Sequence, residues 1–147
     1  MSRTFISIDI QAPVETVFAA LSEIETFPNR AEGIAAVEIL TEQKHGVGTR
    51  FRETRIMNGR EAVAELEVTE CVDNERIRMV CDQGGAVWDT VFLVSPTETG
   101  TQLEMTMDAK PYKLMAKIMT PLINGMIKKF VRRDMEELKA WCEQLCD

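Results

Sequence analysis

The sequence is poor in the residues from which most catalytic and metal sites are built. Its 147 residues include one histidine and one tyrosine, and aromatic residues make up 6% of the chain. Because the one histidine, His45, lies in a Lys-His-Gly turn, a solvated loop histidine is favoured over a catalytic base. The chain also lacks a nucleophile elbow, an HExxH motif and a phosphate-binding glycine loop. No motif therefore indicates an enzyme class.

Long hydrophobic runs and an excess of positive charge are missing as well. No stretch approaches the roughly 18 uncharged apolar residues of a transmembrane helix, and the first residues lack the apolar segment of a signal peptide. The net charge of −7 argues against nucleic-acid binding and against docking on anionic membranes, since both need a basic surface. We therefore expect a cytoplasmic protein without nucleic-acid partners and without membrane insertion.

The four cysteines do not predict a disulfide framework. A chain of this length can form a sufficient core without disulfides, so reduced thiols are expected at Cys71, Cys81, Cys142 and Cys146. Cys142 and Cys146 are four residues apart and could supply half of a metal site. The only histidine is distant in sequence, so we predict no metal and no cofactor.

The residues that are present predict one domain, residues 1–147. Hydrophobic residues make up 45% and charged residues 28% of the chain, which is typical of a globular protein. Residues 4–10 alternate apolar and polar side chains, as a half-buried strand does. A short helix is predicted from Val14 to Leu21, and a second short helix or irregular turn, interrupted by Pro28, follows to Ala31.

From Ile34 the hydrophobic period changes to two, which predicts a series of strands. We place them near 35–42, 48–57, 60–71, 75–82, 86–95 and 101–109. Short turns separate them, and Asn58-Gly59 is the strongest hairpin signal because a type I′ turn needs positive φ at both positions. Such connections predict an antiparallel meander. The alternation does not decide which face points inward in strands 49–57 and 86–94.

The C-terminal segment predicts a long helix, from Pro121 to Leu145, with Thr120 as its N-cap and a separate short helix or kinked extension before it. Its apolar stripe is interrupted at one position, Asp134. The stripe consists of Ile123, Ile127, Phe130, Leu138, Trp141 and Leu145. A carboxylate on a buried face must be paired, protonated or in contact with water in a cavity.

Four segments resemble the START-like superfamily, also called Bet v 1-like, SRPBCC or polyketide cyclase/dehydrase proteins. They are 8–18, 46–51, 100–103 and 134–143. The resemblance implies an α+β helix-grip fold, in which a curved seven-stranded antiparallel sheet wraps around the long C-terminal helix and two short helices follow the first strand. It also implies a cavity for an apolar ligand such as a lipid, sterol, polyketide or quinone. Related oxygenase domains hold iron, but this chain lacks the histidines for it.

Within that fold, candidate ligand-binding residues can be chosen from the strand faces and the helix stripe. They are Phe51, Glu53, Arg55, Leu66, Met79, Trp88, Thr90, Phe92, Met105, Met107, Ile123, Met126, Ile127, Phe130 and Asp134. Asp134 is either a polar anchor or general base in the cavity, or a structural partner of Arg30, Arg52 or Arg55, or a residue at the edge of the stripe that reaches water. Glu53 and Arg55 either face inward or form a solvated outer ladder.

Methionines concentrate between residues 105 and 126, at Met105, Met107, Met115, Met119 and Met126. Singly they are explained as core filling. As a cluster with Tyr112 and Leu114 they indicate ligand access or a homodimer contact. The leading hypothesis is a protein that binds a small hydrophobic molecule. The alternative is an aromatase/cyclase-type enzyme, and a third possibility is a helper that delivers a lipid or quinone to a partner complex.

Overall fold

A single antiparallel sheet dominates the computed structural model, which describes residues 2–146. Its seven strands are β1 (Ser2–Ile10), β2 (Ile34–Ile39), β3 (Arg50–Met57), β4 (Arg60–Val72), β5 (Arg76–Gln83), β6 (Ala86–Pro96) and β7 (Thr101–Pro111). They are ordered β1-β7-β6-β5-β4-β3-β2, so the six later strands form the predicted meander and β1 joins its end. Register shifts in the β2–β3 and β4–β5 pairs are the irregularities that bend strands and curve a sheet.

The hairpin predicted at Asn58-Gly59 connects β3 and β4. Asn58 has a φ of 53° and Gly59 a φ of 76°, the pair of positive values that a type I′ turn requires. A second tight turn, at Gly84-Gly85, joins β5 to β6, and the carbonyl oxygen of Gly85 accepts hydrogen bonds from the amides of Tyr112 and Lys113. These bonds connect the end of β7 to the start of the C-terminal helix.

Strand pairing settles the two faces that the sequence left open. Residues directly opposite each other in an antiparallel pair lie on the same face of the sheet. Glu53 lies opposite Ala64 and Arg55 opposite Ala62, so both charged residues are on the apolar inner face of β4. In the same way Thr90 lies opposite Met79 on the inner face. The inward alternatives for β3 and β6 are therefore correct.

Two short helices follow β1, as predicted. Helix α1 spans Val14–Ser22, a 3₁₀ turn spans Ile24–Thr26, and α2 spans Phe27–Arg30. Pro28 does not interrupt this segment but lies in the first turn of α2, where its missing amide hydrogen has no helical partner to lose. The ring of Phe27 packs edge-on against that of Phe51, with centroids 6.0 Å apart, and anchors α2 over β3.

The C-terminal helix α3 is longer than predicted, spanning Leu114–Leu145 without a break at Thr120. The expected N-cap at Thr120 is wrong: its side chain is buried inside the helix and Pro121 follows as an interior residue. Pro121 is exposed, so its ring lies away from the sheet. Ala116 and Thr120, both buried, hold the segment before the proline on the sheet side.

The buried stripe of α3 also differs from the prediction at its end. Leu145 is 60% exposed, whereas Met135 and Cys142 are buried beside Leu138. The helix packs mainly against β1, α1 and β7, so Met135, Leu138 and Cys142 face these elements. Within residues 2–146, no helix combines the length and apolar composition needed to cross a bilayer.

Gly100 explains one of the segments that resembles the superfamily. A side chain at Gly100 would collide with the carbonyl oxygen of Ile10, so the turn between β6 and β7 can pack directly on the end of β1. Next to it, the buried hydroxyl of Thr101 donates a hydrogen bond of 2.8 Å to the carbonyl oxygen of Ala12. Gly100 and Thr101 thus hold the β1–α1 connection against the sheet.

Candidate functional site

A cavity of about 460 Å³ lies between α3 and the inner face of the sheet. Small-molecule sites in proteins commonly enclose about 300 to 1,000 Å³. Most of its wall is apolar, built from strand residues Met57, Ala62, Ala64, Leu66, Met79, Cys81, Ala86, Trp88, Phe92 and Met107 and from helix residues Ala116, Met119, Ile123, Ile127, Phe130, Val131, Met135 and Leu138. The volume and the lining suit a small organic molecule.

The two ends of the cavity differ in exposure. At one end, which we call the inner end, the wall includes Leu21, Phe27 and Leu138, none more than 4% exposed. At the other end, which we call the mouth, the wall includes Met119, which is 43% exposed, and the exposed turn residues Gln83 and Gly84. A ligand would therefore enter beside the first half of α3.

Four charged side chains line the cavity, and Arg55 is at their centre. Its Nη1 lies 2.6 Å from Oδ2 of Asp134 on α3, and its Nη2 lies 3.1 Å from Oε1 of Glu53 on the same strand. Arg55 Nε also donates to the same Glu53 oxygen at 3.3 Å. Among the alternatives for Asp134, the structure thus selects Arg55 as its ion-pair partner and places the pair on the cavity wall.

Arg30, at the end of α2, is the fourth charged group. Its Nε donates to the carbonyl oxygen of Ala20 at 2.9 Å, and its guanidinium lies 4.4 Å from the centroid of the Phe27 ring. In the described part of the chain it forms no ion pair. Burial lowers the pKa of Arg30 to about 10, although the charges of Asp134 and Glu53 act in the opposite direction. Arg30 is therefore a half-buried cation with guanidinium donors beside the inner end.

The pKa values of the ion pair are shifted in the same direction for different reasons. Burial raises the pKa of Asp134, and the charge and hydrogen bond of Arg55 offset only part of this effect. For Arg55, burial acts to lower the pKa, but Glu53 and Asp134 together outweigh it and the pKa is raised. Arg55 interacts with two carboxylates, so their attraction exceeds the effect of burial on its pKa, whereas at Asp134 the effect of burial on the pKa remains larger. Within residues 2–146, the buried Oδ1 of Asp134 has no hydrogen-bond partner.

This arrangement limits the chemistry of a ligand. Two arginines and two carboxylates balance in charge, so the wall favours a neutral molecule over an ion. The guanidinium donors can nevertheless bind a carbonyl or hydroxyl group, and an unpaired polar group in an apolar site is costly. The cavity thus combines a large apolar surface with a small polar region at one side.

Twelve of the fifteen candidate ligand-binding residues lie on the cavity wall: Glu53, Arg55, Leu66, Met79, Trp88, Thr90, Phe92, Met107, Ile123, Ile127, Phe130 and Asp134. Phe51 and Met105 do not. Both face inward but are completely buried beyond the end of the cavity, where Phe51 packs on Phe27. Met126 does not line the cavity either. It lies on the outward side of α3 and is 38% exposed.

Sequence reasoning missed several wall residues from other elements. Arg30 appeared in it only as a partner for Asp134, and the contributions of Leu21, Phe27 and Thr120 were not predicted. Periodicity identifies one face of an element but does not show which elements meet, and α2 is too short to have a periodic pattern. In the sequence the arginine at the end of segment Phe27–Arg30 carries no signal of its position, because an arginine at the end of a helix is normally solvated.

The remaining reactive side chains do not form a catalytic group. Cys81 lies on the cavity wall, but burial raises its pKa to about 11, so the thiol is protonated near neutral pH and is a poor nucleophile. His45 is exposed in the β2–β3 loop, away from the cavity. In the described residues, no three His, Cys, Asp or Glu side chains are placed to hold a metal ion.

Comparison with known families supports what the fold and the cavity indicate. A family model described as "Polyketide cyclase / dehydrase and lipid transport" matches residues 2–143. The chain therefore belongs to this family, and the predicted membership of the START-like, Bet v 1-like superfamily is confirmed. The predicted α+β helix-grip fold is confirmed as well, with its seven-stranded sheet and long C-terminal helix.

Individual relatives are distant. The chain is 26% identical over 149 residues to an uncharacterized 17.2 kDa protein in the melC2-rnhH intergenic region of Streptomyces lincolnensis, covering 98% of this chain and 91% of that protein. A START superfamily protein from Mycobacterium smegmatis superposes with a TM-score of 0.79 at 18% identity, covering 97% and 98% of the two chains. The di-domain ARO/CYC StfQ from the steffimycin biosynthetic pathway gives 0.83 at 13% identity, covering 98% of this chain and 52% of that chain.

Proposed function

We propose that the protein binds one small, mainly apolar and uncharged molecule in the cavity between α3 and the sheet. The observation that carries this proposal is the cavity itself, about 460 Å³ in volume, with an apolar wall and a charge-balanced polar region. Membership of a family described as acting in polyketide cyclisation and lipid transport supports the same ligand class. Lipids, polyketides and quinones fit this description.

The ligand would bind in one orientation. Its apolar part would lie along Trp88, Phe92 and Ile127, where burial of apolar surface contributes roughly 25 cal/mol per Å². A carbonyl or hydroxyl group would lie at Arg30, because in the described part of the chain only the Nε of its guanidinium donates to a protein acceptor. A carboxylate or phosphate would disturb the existing balance between two cations and two anions. Neutral oxygen-containing ligands are therefore favoured over ionic ones.

The experiment that tests the proposal uses two variants on adjacent residues of β4. Ala64 lines the cavity, whereas its neighbour Val63 points to the opposite face of the sheet and is 44% exposed. Ala64→Phe would fill cavity space, and Val63→Phe adds a similar side chain outside it. Binding of Nile red, a neutral fluorescent molecule, is titrated for both variants and for the wild type, with circular dichroism as a control for folding.

We expect Ala64→Phe to weaken Nile red binding at least about tenfold, the loss produced by 1.4 kcal/mol, and Val63→Phe to leave it unchanged. Native mass spectrometry of the protein purified from its own host should then show a retained small molecule in the wild type and less of it in Ala64→Phe. Equal binding by a folded Ala64→Phe variant and the wild type would contradict the proposal, because the ligand would then lie elsewhere.

A second candidate function, an aromatase/cyclase-type enzyme, is favoured by one observation. Asp134 combines a raised pKa with a position on the cavity wall, two properties of a group that moves protons. The fold similarity to StfQ adds a structural parallel.

The two candidates are distinguished with Asp134→Asn, which keeps the shape of the side chain but cannot take up a proton. If the protein only binds its ligand, the variant alters affinity and no turnover of a polyketide analogue is seen with either protein. Cyclisation of the analogue by the wild type that is lost in Asp134→Asn, with Nile red binding retained, would establish the enzyme instead.

A further inference from the structure

The first half of α3 carries a second apolar stripe, on the side away from the cavity. Leu114, Ile118, Leu122 and Met126 follow one another in steps of four, so they form one ridge along the helix. They are 76%, 55%, 73% and 38% exposed. Met115, 70% exposed, lies next to this ridge. Exposed apolar side chains are normal when scattered, but a contiguous ridge on one helix indicates a contact surface.

The charge around this ridge differs from that of the whole chain. Between Asp108 and Asp134 the sequence has seven lysines and arginines and no acidic residue, so this segment carries +7 within a chain of net charge −7. The rest of the chain carries −14. All seven basic side chains are exposed. Of these, Lys113, Lys117, Lys128, Lys129 and Arg132 form no ion pair in the described part of the chain. The net charge that argued against anionic membranes therefore does not describe this face.

We propose that this face, the apolar ridge with its surrounding basic residues, docks on the surface of an anionic lipid bilayer. Helices that lie in a membrane interface combine an apolar stripe with lysines and arginines along its edges, as this one does. Anionic headgroups supply the opposite charge, and the ridge enters the boundary between headgroups and acyl chains. No residue needs to span the bilayer, which agrees with the short apolar segments of the chain.

Charge complementarity favours a bilayer over a second copy of the chain. Two copies meeting through this face would bring together two sets of basic residues, and like charges placed opposite each other oppose association. An acidic protein would also complement the charge. The ridge, however, consists of flexible aliphatic and methionine side chains that are 38% to 76% exposed, which suits a fluid apolar layer better than a shaped partner.

The docking face lies directly beside the cavity mouth. Met119, on the mouth, is next to Ile118 of the ridge, and Ala116 and Thr120 of the same turns line the cavity. A bilayer on this face would therefore hold the mouth close to the membrane, from which an apolar ligand could enter. This last step rests on the proposed function, whereas docking itself does not.

The test measures co-sedimentation of the full-length protein with two kinds of vesicles: phosphatidylcholine alone, and phosphatidylcholine mixed with phosphatidylglycerol. The charge variant is Lys117→Gln combined with Lys129→Gln, and the apolar variant is Leu114→Ser combined with Leu122→Ser. Their matched controls, Lys44→Gln and Val47→Ser, alter an exposed lysine and a 58% exposed valine in the β2–β3 loop. That loop is at the end of β3 opposite to the Asn58-Gly59 hairpin, which contacts Met126.

We expect binding to the mixed vesicles only, and we expect salt to weaken it because the attraction is electrostatic. Each double variant should reduce binding about tenfold or more, since it removes two positive charges or two large apolar side chains from the contact. The controls should bind as the wild type does. Equal binding by all proteins, or none by the wild type, would overturn the proposal. A concentration-dependent dimer in solution without vesicle binding would overturn it in favour of a second copy.

The Ala64→Phe variant separates this proposal from the proposed function. It alters the cavity but not the docking face, so it should lose Nile red binding, measured without vesicles, and keep vesicle binding. The Leu114→Ser, Leu122→Ser variant should show the reverse. If Ala64→Phe lost vesicle binding while remaining folded, the docking face would not be independent of the cavity and the proposal as stated would be wrong.

Discussion

The two halves of α3 belong to one helix but have opposite surroundings. The C-terminal half, from Asp134, buries Met135, Leu138 and Cys142 and contains acidic residues. The N-terminal half exposes Leu114 and Leu122, contains no acidic residue, and supplies most of the helix residues on the cavity wall.

Polar contacts reinforce this difference. Glu143 accepts a 2.9 Å hydrogen bond from the amide of Gln11 and one of 2.8 Å from Lys139. Glu137 accepts one of 2.9 Å from the amide of Glu32. The C-terminal half is thus fastened to the connections on either side of the short helices, and it can hold the helix while the N-terminal half serves the cavity. Helical periodicity alone does not distinguish the half of α3 that packs on the short helices from the half that covers most of the cavity.

The largest expected effect comes from removing a buried side chain in the C-terminal half. Leu138→Ala should lower the free energy of unfolding by about 2 to 4 kcal/mol, because Leu138 is 2% exposed and its truncation leaves unfilled space. Leu122→Ala, at a position 73% exposed, should change it by less than about 0.5 kcal/mol. Urea unfolding of both variants measures the contrast, and equal losses would show that the two halves do not differ in packing.

The next effect concerns Pro121, which lies inside the helix in the N-terminal half. Pro121→Ala should raise the free energy of unfolding by about 1 to 3 kcal/mol, since an interior proline removes one helical hydrogen bond and crowds the preceding turn. Part of the gain is offset because alanine leaves the unfolded chain more freedom. If the helix instead began at Pro121, as the sequence predicted, the substitution would bring no gain. Thermal and urea unfolding decide between these outcomes.

A smaller effect is expected at Glu143, and it depends on pH. The hydrogen bond from the amide of Gln11, with that of Lys139, lowers the pKa of Glu143. Relative to Glu143→Gln, the wild type should be more stable by about 0.5 to 1 kcal/mol near neutral pH. This advantage should be lost as the pH falls below the ordinary glutamate value near 4.5 and through the lowered pKa. An advantage independent of pH between 2 and 7 would contradict the assignment.

The smallest expected effect is at Asp134, with the opposite pH dependence. Because burial raises the pKa of Asp134, the folded protein holds this proton more tightly than the unfolded chain. The wild type should therefore lose stability relative to Asp134→Asn as the pH rises from about 3.8 through the raised pKa. Because burial outweighs the attraction of Arg55 and because Arg55 keeps Glu53 as a partner, the difference at pH 7 should stay within about 1 kcal/mol, below the roughly 3 to 5 kcal/mol that removing one partner of a buried pair usually costs. A large loss would show that the ion pair is structural.

Most of the fold was predictable from local patterns. The strands, the Asn58-Gly59 turn and the long helix each follow from side-chain alternation, turn chemistry or helical period, all of which act within a few residues. The predicted break at Thr120 was wrong because Thr-Pro is a common helix start, and only packing against the sheet decides that the helix continues through it. The exposure of Leu145 likewise depends on tertiary packing, because it is set by which elements lie beside the last turn of the helix.

The sequence predicted most of the apolar residues of the candidate site, but it did not predict how the charged residues of the site are arranged. Alternation placed Leu66 and Met79 on an inner face, and the structure puts both on the cavity wall. The sequence alone does not show that Arg55 lies between Glu53 and Asp134, since Arg55 and Asp134 are 79 residues apart. Nor does it place Arg30, whose role depends on how a four-residue helix packs.

Local sequence thus specifies which residues form each element and which side of it is apolar, because backbone preferences and side-chain period act over short distances. The tertiary structure decides what each apolar side faces. In α3 the same kind of stripe meets a packed core at Cys142, a cavity at Ile123 and solvent at Leu122. That difference comes from the elements beside each turn, because α1 packs against Cys142 whereas the cavity separates Ile123 from the sheet.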